Sequence, residues 1–314
     1  MQSVVFNQPK NINFRFLYVL AGVLTFSISF SFSAEQSITD ATGTILTLDA
    51  PPERVVSLNP DFTDILFAFG LGKKVVGVTT ACRIPELKTT VKRVGTLYQP
   101  ALETITVLRP DLILATMEGN NPRTIAALRR LKIPTYVSPP QRSLGEYYSI
   151  LKVLGRLFGE EEKAAELADE FRTVADDIAG RVSGSKKVSV FIQLGSRPLV
   201  SVSSGTLIDE LVEIAGGENI CGDIPGRYPV VSREEVILKD PEVIVITGME
   251  GGRGDVNSCW KDLKNLRAVR EGKIFRIDPD KICHLGPGLK SGLTDLARLL
   301  HPELFPENPR QAGE

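Results

Sequence analysis

The chain lacks most of the motifs by which enzymes are recognised from sequence. Its histidines are two, His284 and His301. HExxH, GxxxxGK[ST] and GxSxG patterns are all missing, so zinc-protease, P-loop and serine-hydrolase chemistries have no support. Gly252 and Gly254 begin a GxGxxG pattern without its third glycine or a strand-to-helix context. An enzyme is therefore the weaker functional class, and we expect no resident cofactor and no metal site.

The charge and the cysteine pattern further narrow the functional classes to which the protein can belong. Lysine and arginine number 37 and aspartate and glutamate 38, which gives a formal net charge of −1. Without a basic field to attract phosphates, we expect no nucleic-acid partner. The four cysteines show no CxxC spacing. If the chain is exported, a Cys259–Cys283 disulfide is one candidate pairing, since spacing alone leaves the connectivity open.

The N-terminus has the order of a secretory signal peptide. Lys10 and Arg15 precede an uncharged apolar run over residues 16–32, and small residues follow. Cleavage at those small residues would remove residues 1–33. The alternative is an uncleaved membrane anchor, although the run is shorter than the roughly 20 residues that a span requires. We therefore expect export, with residues 34–52 as a polar lead-in to the folded lobes.

One stretch of the sequence occurs twice. Residues 103–116 read ETITVLRPDLILAT and residues 234–247 read EEVILKDPEVIVIT, at an offset of 131 with no gap. Each copy has a leading glutamate, helical spacing, a proline stop, an acidic residue and an apolar run, which is typical of a short helix before a buried strand. The repeat predicts two similar α/β lobes with a glutamate, Glu103 or Glu234, at the same place in each. The alternative is two unrelated helix–strand units.

The patterns around the repeat predict an α/β fold with central, mainly parallel sheets. Residues 54–78 have the spacing of a strand, a helix and a second strand, a βαβ unit that favours parallel pairing. We expect an N-terminal lobe over 53–140, a long connector helix within 141–185, a C-terminal lobe over 186–303 and a tail over 304–314. The alternative for the connector is two ordinary surface helices of one lobe.

Three segments carry a resemblance to a known family: RVVSLNPDFTDILFAFGLGKKVVGV at 54–78, VGTLYQPALETITVLRPDLILA at 94–115 and YPVVSREEVILKDPEVIVITG at 228–248. With the export signal and the helical connector, they resemble the helical-backbone group of ABC-importer substrate-binding proteins, which serve vitamin B12 and ferric siderophores. IAGGENI at 214–220 is most similar to the vitamin B12-binding branch. The resemblance implies a class III periplasmic binding protein fold and a binding function without catalysis.

The resemblance gives the two repeated glutamates a role. In this group one exposed glutamate on each lobe docks into arginines of a permease subunit, and Glu103 and Glu234 occupy the matching positions. A carboxylate in the first turn of a helix is favoured by the helix dipole and accepts a bidentate arginine pair. One such residue on each lobe suits a two-fold permease dimer. The alternative is that both residues only favour their helix N-termini.

The resemblance also places a ligand between the lobes, over loops at the carboxyl ends of the strands. This chain has Ala81 where the vitamin B12-binding pattern has an aromatic, and Leu97 and Tyr228 where it has tryptophans, with Tyr98 as a substitute from the next position. Because a corrin face needs apolar and aromatic cover, these differences keep a ferric siderophore or haem open. The predicted ligand contacts are Asn59, Arg83, Leu97, Tyr98, Arg197, Arg227, Tyr228 and His284.

Four of these contacts have competing interpretations. Arg83, Arg197 and Arg227 suit the negative charge of a ferric chelate, and the alternative for each is a solvated loop cation. His284 suits a hydrogen bond to the ligand or a contact with its metal centre, and the alternative is neither.

We therefore expect a monomeric periplasmic component of an ABC importer, which captures a corrinoid and delivers it to a permease dimer and its ATPase. A ferric siderophore or haem in the same role is the nearest alternative. From another class, an exported chelatase-like enzyme acting on a metal tetrapyrrole would also have two α/β lobes. It needs a histidine–glutamate pair facing the cleft, for which His284 with Glu118 or Glu250 are the candidates.

Overall fold

The structure is a computed structural model. It describes residues 36–82, 91–140, 142–248 and 260–306. Within these ranges, no helix has both the length and the apolar composition that are needed to cross a bilayer. The predicted signal peptide, residues 1–33, lies outside the described residues.

Strands and helices alternate along much of the described chain, the order that favours parallel sheets. The strands are β1 Gln36–Thr39, β2 Ile45–Leu48, β3 Val55–Ser57, β4 Val75–Val78, β5 Lys92–Arg93, β6 Leu112–Thr116, β7 Thr135–Ser138, β8 Val188–Gln193, β9 Gly195–Ser196, β10 Leu199–Val200, β11 Gly217–Asn219, β12 Val243–Ile246 and β13 Ile274–Arg276. The helices are α1 Pro60–Ala68, α2 Leu102–Leu108, α3 Pro122–Arg130, α4 Leu144–Phe158, α5 Glu161–Val182, α6 Leu207–Ile214, α7 Arg233–Lys239, α8 Arg267–Arg270, α9 Pro279–Ile282 and α10 Gly288–Leu300.

Two parallel sheets form the cores of two lobes, which confirms the predicted fold class. The first sheet has five strands in the order β5-β4-β3-β6-β7, and the second has four in the order β11-β8-β12-β13. The order of the second sheet repeats that of β4-β3-β6-β7 in the first. Every residue of β6 and β12, the strands of the sequence repeat, is buried, as expected for parallel strands covered on both faces.

The repeat extends to the backbone between each helix and its strand. α2 and α7 each end at a left-handed residue, Arg109 with φ of 47° and Asp240 with φ of 40°. These residues are 131 positions apart, and Pro110 and Pro241 follow them. Since a left-handed conformation is uncommon outside glycine, its occurrence at both positions indicates that the two lobes share one local geometry.

Two helices, α4 and α5, occupy the region of the predicted connector. Gly159 is left-handed, with φ of 67°, and ends α4. α5 then runs for 22 residues, a length of about 33 Å. Near its start, Nζ of Lys163 donates a 2.8 Å hydrogen bond to the carbonyl oxygen of Phe69 in the first lobe. Farther along, Glu170 forms an ion pair with Lys290 of α10, so α5 contacts both lobes.

The predicted polar lead-in contains a hairpin that the sequence analysis missed. β1 and β2 pair with each other in antiparallel register. Asp40 at the turn is 6% exposed, and its Oδ1 accepts hydrogen bonds from the backbone N–H of Thr42 at 2.9 Å and of Thr44 at 3.0 Å. Its Oδ2 accepts from the backbone N–H of Val137 at 3.2 Å and pairs with Arg129. This buried carboxylate fixes the hairpin against β7, a contact that short-range patterns do not reveal.

Candidate ligand-binding cleft

Two adjoining cavities are lined from both lobes. One has a volume of about 360 Å³ and the other of about 640 Å³, and Glu118 and Cys283 line both of them. Their walls combine residues that follow β3, β4 and β6 in the first lobe with residues that follow β8, β12 and β13 in the second. Open α/β sheets bind ligands at the carboxyl ends of their strands. The two cavities together are therefore the candidate ligand-binding cleft.

The start of α1 shows how the sequence builds the first-lobe wall. Asn59 is the N-cap of the helix, and its side-chain oxygen accepts a 2.8 Å hydrogen bond from the backbone N–H of Asp61. Pro60 occupies the first helical position, where a missing N–H costs nothing. This cap directs the Asp61 side chain towards the smaller cavity, which it lines with Asn59 and Pro60.

His284 joins the two lobes at the smaller cavity. Its Nδ1 lies 3.4 Å from Oδ1 of Asp61 in α1, and its Nε2 lies 3.5 Å from Oδ1 of Asp280 in α9. Burial acts to lower the pKa of His284, but the hydrogen bond and charge of Asp61 and the charge of Asp280 raise it above its usual value. The site therefore favours the charged imidazole between two carboxylates.

A second titrating group lies at the same contact. Burial, followed by repulsion from Asp61, raises the pKa of Asp64 to about 6. Gly286 of the second lobe packs against this side chain, since a Cβ added to Gly286 would lie 3.2 Å from Cβ of Asp64. The contact between the lobes thus holds a carboxyl with a pKa of about 6 and an imidazole with a pKa above its usual value.

Glu118 and Arg142 form an ion pair in the lining of the larger cavity. Nε and Nη2 of Arg142 donate to Oε2 and Oε1 of Glu118 at 2.9 and 3.3 Å, and these hydrogen bonds raise the pKa of Arg142. Arg142 was not predicted from the sequence, because no motif relates two residues that are 24 positions apart. Glu118 was predicted only as a partner of His284 in the enzyme alternative, and the structure pairs Glu118 with Arg142 instead.

The remaining wall of the larger cavity is mainly apolar. Leu194, Val200 and Leu207 contribute to it, and the side chain of Tyr228 lines its edge while 55% exposed. Trp260, the one tryptophan of the sequence, packs in the second-lobe core, where its Nε1 donates a 2.7 Å hydrogen bond to Gln193. The larger cavity therefore offers an apolar wall with an aromatic edge and the Glu118–Arg142 ion pair, which suits a flat ligand with a polar periphery.

The predicted ligand contacts divide into two groups in the structure. Asn59, Leu97 and His284 line the smaller cavity, and Tyr228 lines the larger one. These four residues come together although they are spread over much of the sequence. Their contact with a ligand stays a prediction, and so does that of the other four.

Of the other four predicted contacts, the three that the structure describes lie outside the two linings. Tyr98 is 58% exposed, and Arg197 is exposed in the turn between β9 and β10. Arg227 is half-buried, and its Nη1 is buried without a hydrogen-bond partner among the described residues. Arg83 lies outside the described residues, as does Glu250, the second glutamate of the enzyme alternative.

Cys283 carries a free thiol in the cleft. Its Sγ lies 3.5 Å from Oγ1 of Thr247, and burial raises its pKa to about 11. Cys259, the other half of the candidate disulfide, lies outside the described residues. In the parts of the chain that the structure describes, no group of three or more histidine, cysteine, aspartate or glutamate side chains is placed to hold a metal ion.

The two repeated glutamates lie away from the cleft, on the helices that lead into β6 and β12. Glu103 is in the first turn of α2 and Glu234 is in the first turn of α7. Both are exposed, and neither forms an ion pair with a described residue. The structure thus places one unpartnered carboxylate at the same position of each lobe.

Comparison with known proteins relates this architecture to binding proteins. The family model of periplasmic binding proteins matches residues 55–281. The vitamin B12-binding protein of Yersinia pestis (strain Pestoides F) is 36% identical over 217 residues, which cover 69% of this chain and 77% of that protein. The protein of the same name from Yersinia pseudotuberculosis serotype O:1b (strain IP 31758) has the same identity and coverage.

Solved structures show the same fold. The periplasmic vitamin B12 binding protein of Vibrio cholerae is 28% identical, with a TM-score of 0.69, over 82% of this chain and 99% of that one. A periplasmic haem-binding protein from Pseudomonas aeruginosa is 27% identical, with a TM-score of 0.71, over 80% of this chain and 93% of that one. The similarity therefore extends over both lobes.

Proposed function

Because this chain belongs to the periplasmic binding protein family, we propose that it captures a corrinoid between its two lobes and delivers it to an ABC permease and its ATPase. The observation that carries the proposal is the cleft, whose two adjoining cavities are lined from both lobes at the carboxyl ends of the strands. The relatives named vitamin B12-binding proteins support a corrinoid. The family and these relatives are binding proteins rather than enzymes, so the chelatase alternative is abandoned.

Haem or a ferric siderophore is the second candidate ligand. Two arginines favour it, since such chelates carry negative charge. Arg142 lines the larger cavity, and half-buried Arg227 directly precedes Tyr228, which lines the same cavity. The haem-binding protein of similar fold supports the same ligand class. The apolar wall beside Leu194 and Val200 suits either kind of ring.

The proposal also includes the cellular location and the oligomeric state of the protein. Proteins of this family are periplasmic. We propose that residues 1–33 are a cleaved signal peptide that exports the chain, and that the mature protein acts as a monomer. A monomer leaves both Glu103 and Glu234 open to the permease.

The experiment that tests the ligand is the absorbance spectrum of the purified protein after incubation with cyanocobalamin, haemin or a ferric hydroxamate siderophore, followed by gel filtration. We expect a corrin spectrum to co-elute with the protein, and titration calorimetry to give saturable binding at one ligand per chain. Co-elution of haemin or of the siderophore without cyanocobalamin would replace the corrinoid by the second candidate. Co-elution of none of the three would contradict the proposal.

A further inference from the structure

The two most exposed large apolar side chains among the described residues occupy equivalent positions of the repeat. Leu238 is 86% exposed and Val107 is 80% exposed. Leu238 follows Val107 by 131 residues, the offset that relates the two copies. A single exposed apolar residue is ordinary at a protein surface. The occurrence of both exposed side chains at matched positions of the two lobes indicates a cause that the lobes share.

Helix geometry places each of these residues beside a repeated glutamate. Val107 follows Glu103 by four residues in α2, and Leu238 follows Glu234 by four in α7. Residues with this spacing are neighbours on one helix face, with Cβ atoms about 5–6 Å apart. The opposite face faces the core, since Ile105 is 0% exposed and Val236 is 1% exposed. Each lobe therefore presents one carboxylate and one apolar side chain together, directed away from its sheet.

We propose that Val107 and Leu238, each beside the glutamate for which the family resemblance implies docking, add an apolar contact to two equivalent docking faces for the two subunits of the permease. The inference rests on the proposed function and extends it. Each carboxylate meets a basic side chain, and each apolar side chain enters an apolar recess next to that basic side chain. Contacts that exclude water around a charged pair are typical of the centres of protein interfaces.

The symmetry of the two faces identifies the kind of partner. Two similar faces on one chain match a partner that presents the same surface twice, which a two-fold dimer does. The faces are not identical, because Ile237 in the second lobe is 43% exposed where the first lobe has Thr106. The second face is thus the more apolar one, and its loss weakens docking more than the loss of the first.

The test measures association of the full exported chain with its permease complex in nanodiscs, with and without cyanocobalamin. Three double variants are compared: Val107→Ser with Leu238→Ser, Glu103→Gln with Glu234→Gln, and a control, Ile45→Ser with Leu131→Ser. The control removes two apolar side chains that are 66% and 52% exposed and have no repeat relation. Association is measured at about 0.1 M and about 1 M salt, between which the screening length falls from about 10 Å to about 3 Å.

We expect the apolar double variant to lose at least about tenfold in affinity at both salt concentrations. The charge double variant should lose affinity mainly at the lower salt concentration, and the control should bind like the parent. Leu238→Ser alone should weaken binding more than Val107→Ser alone. Cyanocobalamin affinity and thermal unfolding should stay unchanged in all variants, because the substituted side chains are exposed.

Three outcomes would overturn the inference at different levels. Unchanged binding of the apolar double variant, together with lost binding of the charge double variant, would remove Val107 and Leu238 from the interface and leave the glutamates in it. Unchanged binding of both double variants would also remove the docking role in the proposed function. A loss in the control as large as in the apolar double variant would overturn the specific role of the repeat positions.

Discussion

Nδ1 of His284 lies 3.4 Å from Oδ1 of Asp61, so a charged contact connects the segment after β13 to the first turn of α1. The pair belongs to the wall of the smaller cavity and links the two lobes beside the ligand. Asp280 lies on the other side of the same imidazole. The protonation state of this histidine therefore affects the stability of the contact between the lobes.

The first prediction concerns the pH dependence of this contact. The pKa of His284 is raised in the folded state, so its stabilisation is complete below the unfolded value near 6.5 and is lost as pH rises through the folded value. We expect His284→Gln to lower the free energy of unfolding by about 1–2 kcal/mol at about pH 5.5 and by less at about pH 8.5. Urea denaturation at both pH values measures the difference. An equal loss at the two pH values would contradict the charged contact.

The second prediction concerns Asp64. Its pKa is raised to about 6, so the folded state loses stability as pH rises from the unfolded value of 3.8 through 6. Asp64→Asn cannot ionise, and we expect it to be more stable than the parent by about 1–2 kcal/mol at about pH 8 and no more stable at about pH 4. The control is Asp49→Asn at an exposed position. A stability profile of Asp64→Asn that runs parallel to that of the parent would refute the assignment.

The third prediction separates a cleft residue from a loop residue. Tyr228 lines the larger cavity, whereas Arg197 is exposed in the β9–β10 turn. Truncation of an aromatic side chain that contacts a ligand typically loses more binding free energy than truncation of a charged side chain at the rim. Tyr228→Ala should therefore weaken cyanocobalamin binding by at least about tenfold. Arg197→Ala should weaken binding less than Tyr228→Ala does, because its side chain is exposed and lies outside both cavity linings. Calorimetric titration of both variants provides the comparison, and a stronger effect from Arg197→Ala would reverse the proposed placement of the ligand.

The fourth prediction isolates the role of the repeated glutamates. Glu103→Ala with Glu234→Ala should abolish uptake of radiolabelled cyanocobalamin into cells, while affinity for the ligand stays near that of the parent. A matched control is Glu161→Ala with Glu162→Ala, which removes exposed carboxylates from the first turn of α5. If the glutamates only favour their helix N-termini, both double variants will transport normally and differ from the parent only in stability.

The repeat was predictable because its signals are local. Each copy contains a helix period, a proline and a continuous apolar run, and the left-handed residues at Arg109 and Asp240 directly precede the prolines. Burial of β6 and β12 follows from their apolar runs. Local signals of this kind determine elements and their order, and with a parallel sheet they also determine which loops lie at the cleft.

Contacts between distant residues were not predictable in this way. Arg142 reaches Glu118, and the carboxylate of Asp40 reaches the backbone of Val137 in another strand. Each contact depends on the packing of whole elements, which apolar periodicity does not specify. The β1–β2 hairpin was missed for the same reason, since its four-residue strands depend on the bonds that Asp40 makes after folding.

The continuous helix α5 has a consequence for transport. It contacts the first lobe through Lys163 and the second through Glu170, so we expect the spacing of α2 and α7 to change little when a ligand binds. Under the proposed function, an empty molecule then offers the permease the same two docking faces as a loaded one. Empty molecules compete with loaded ones for the transporter. The rate of import therefore depends on how many copies of the protein the cell makes for each transporter, and making more copies than the available ligand can fill would slow it.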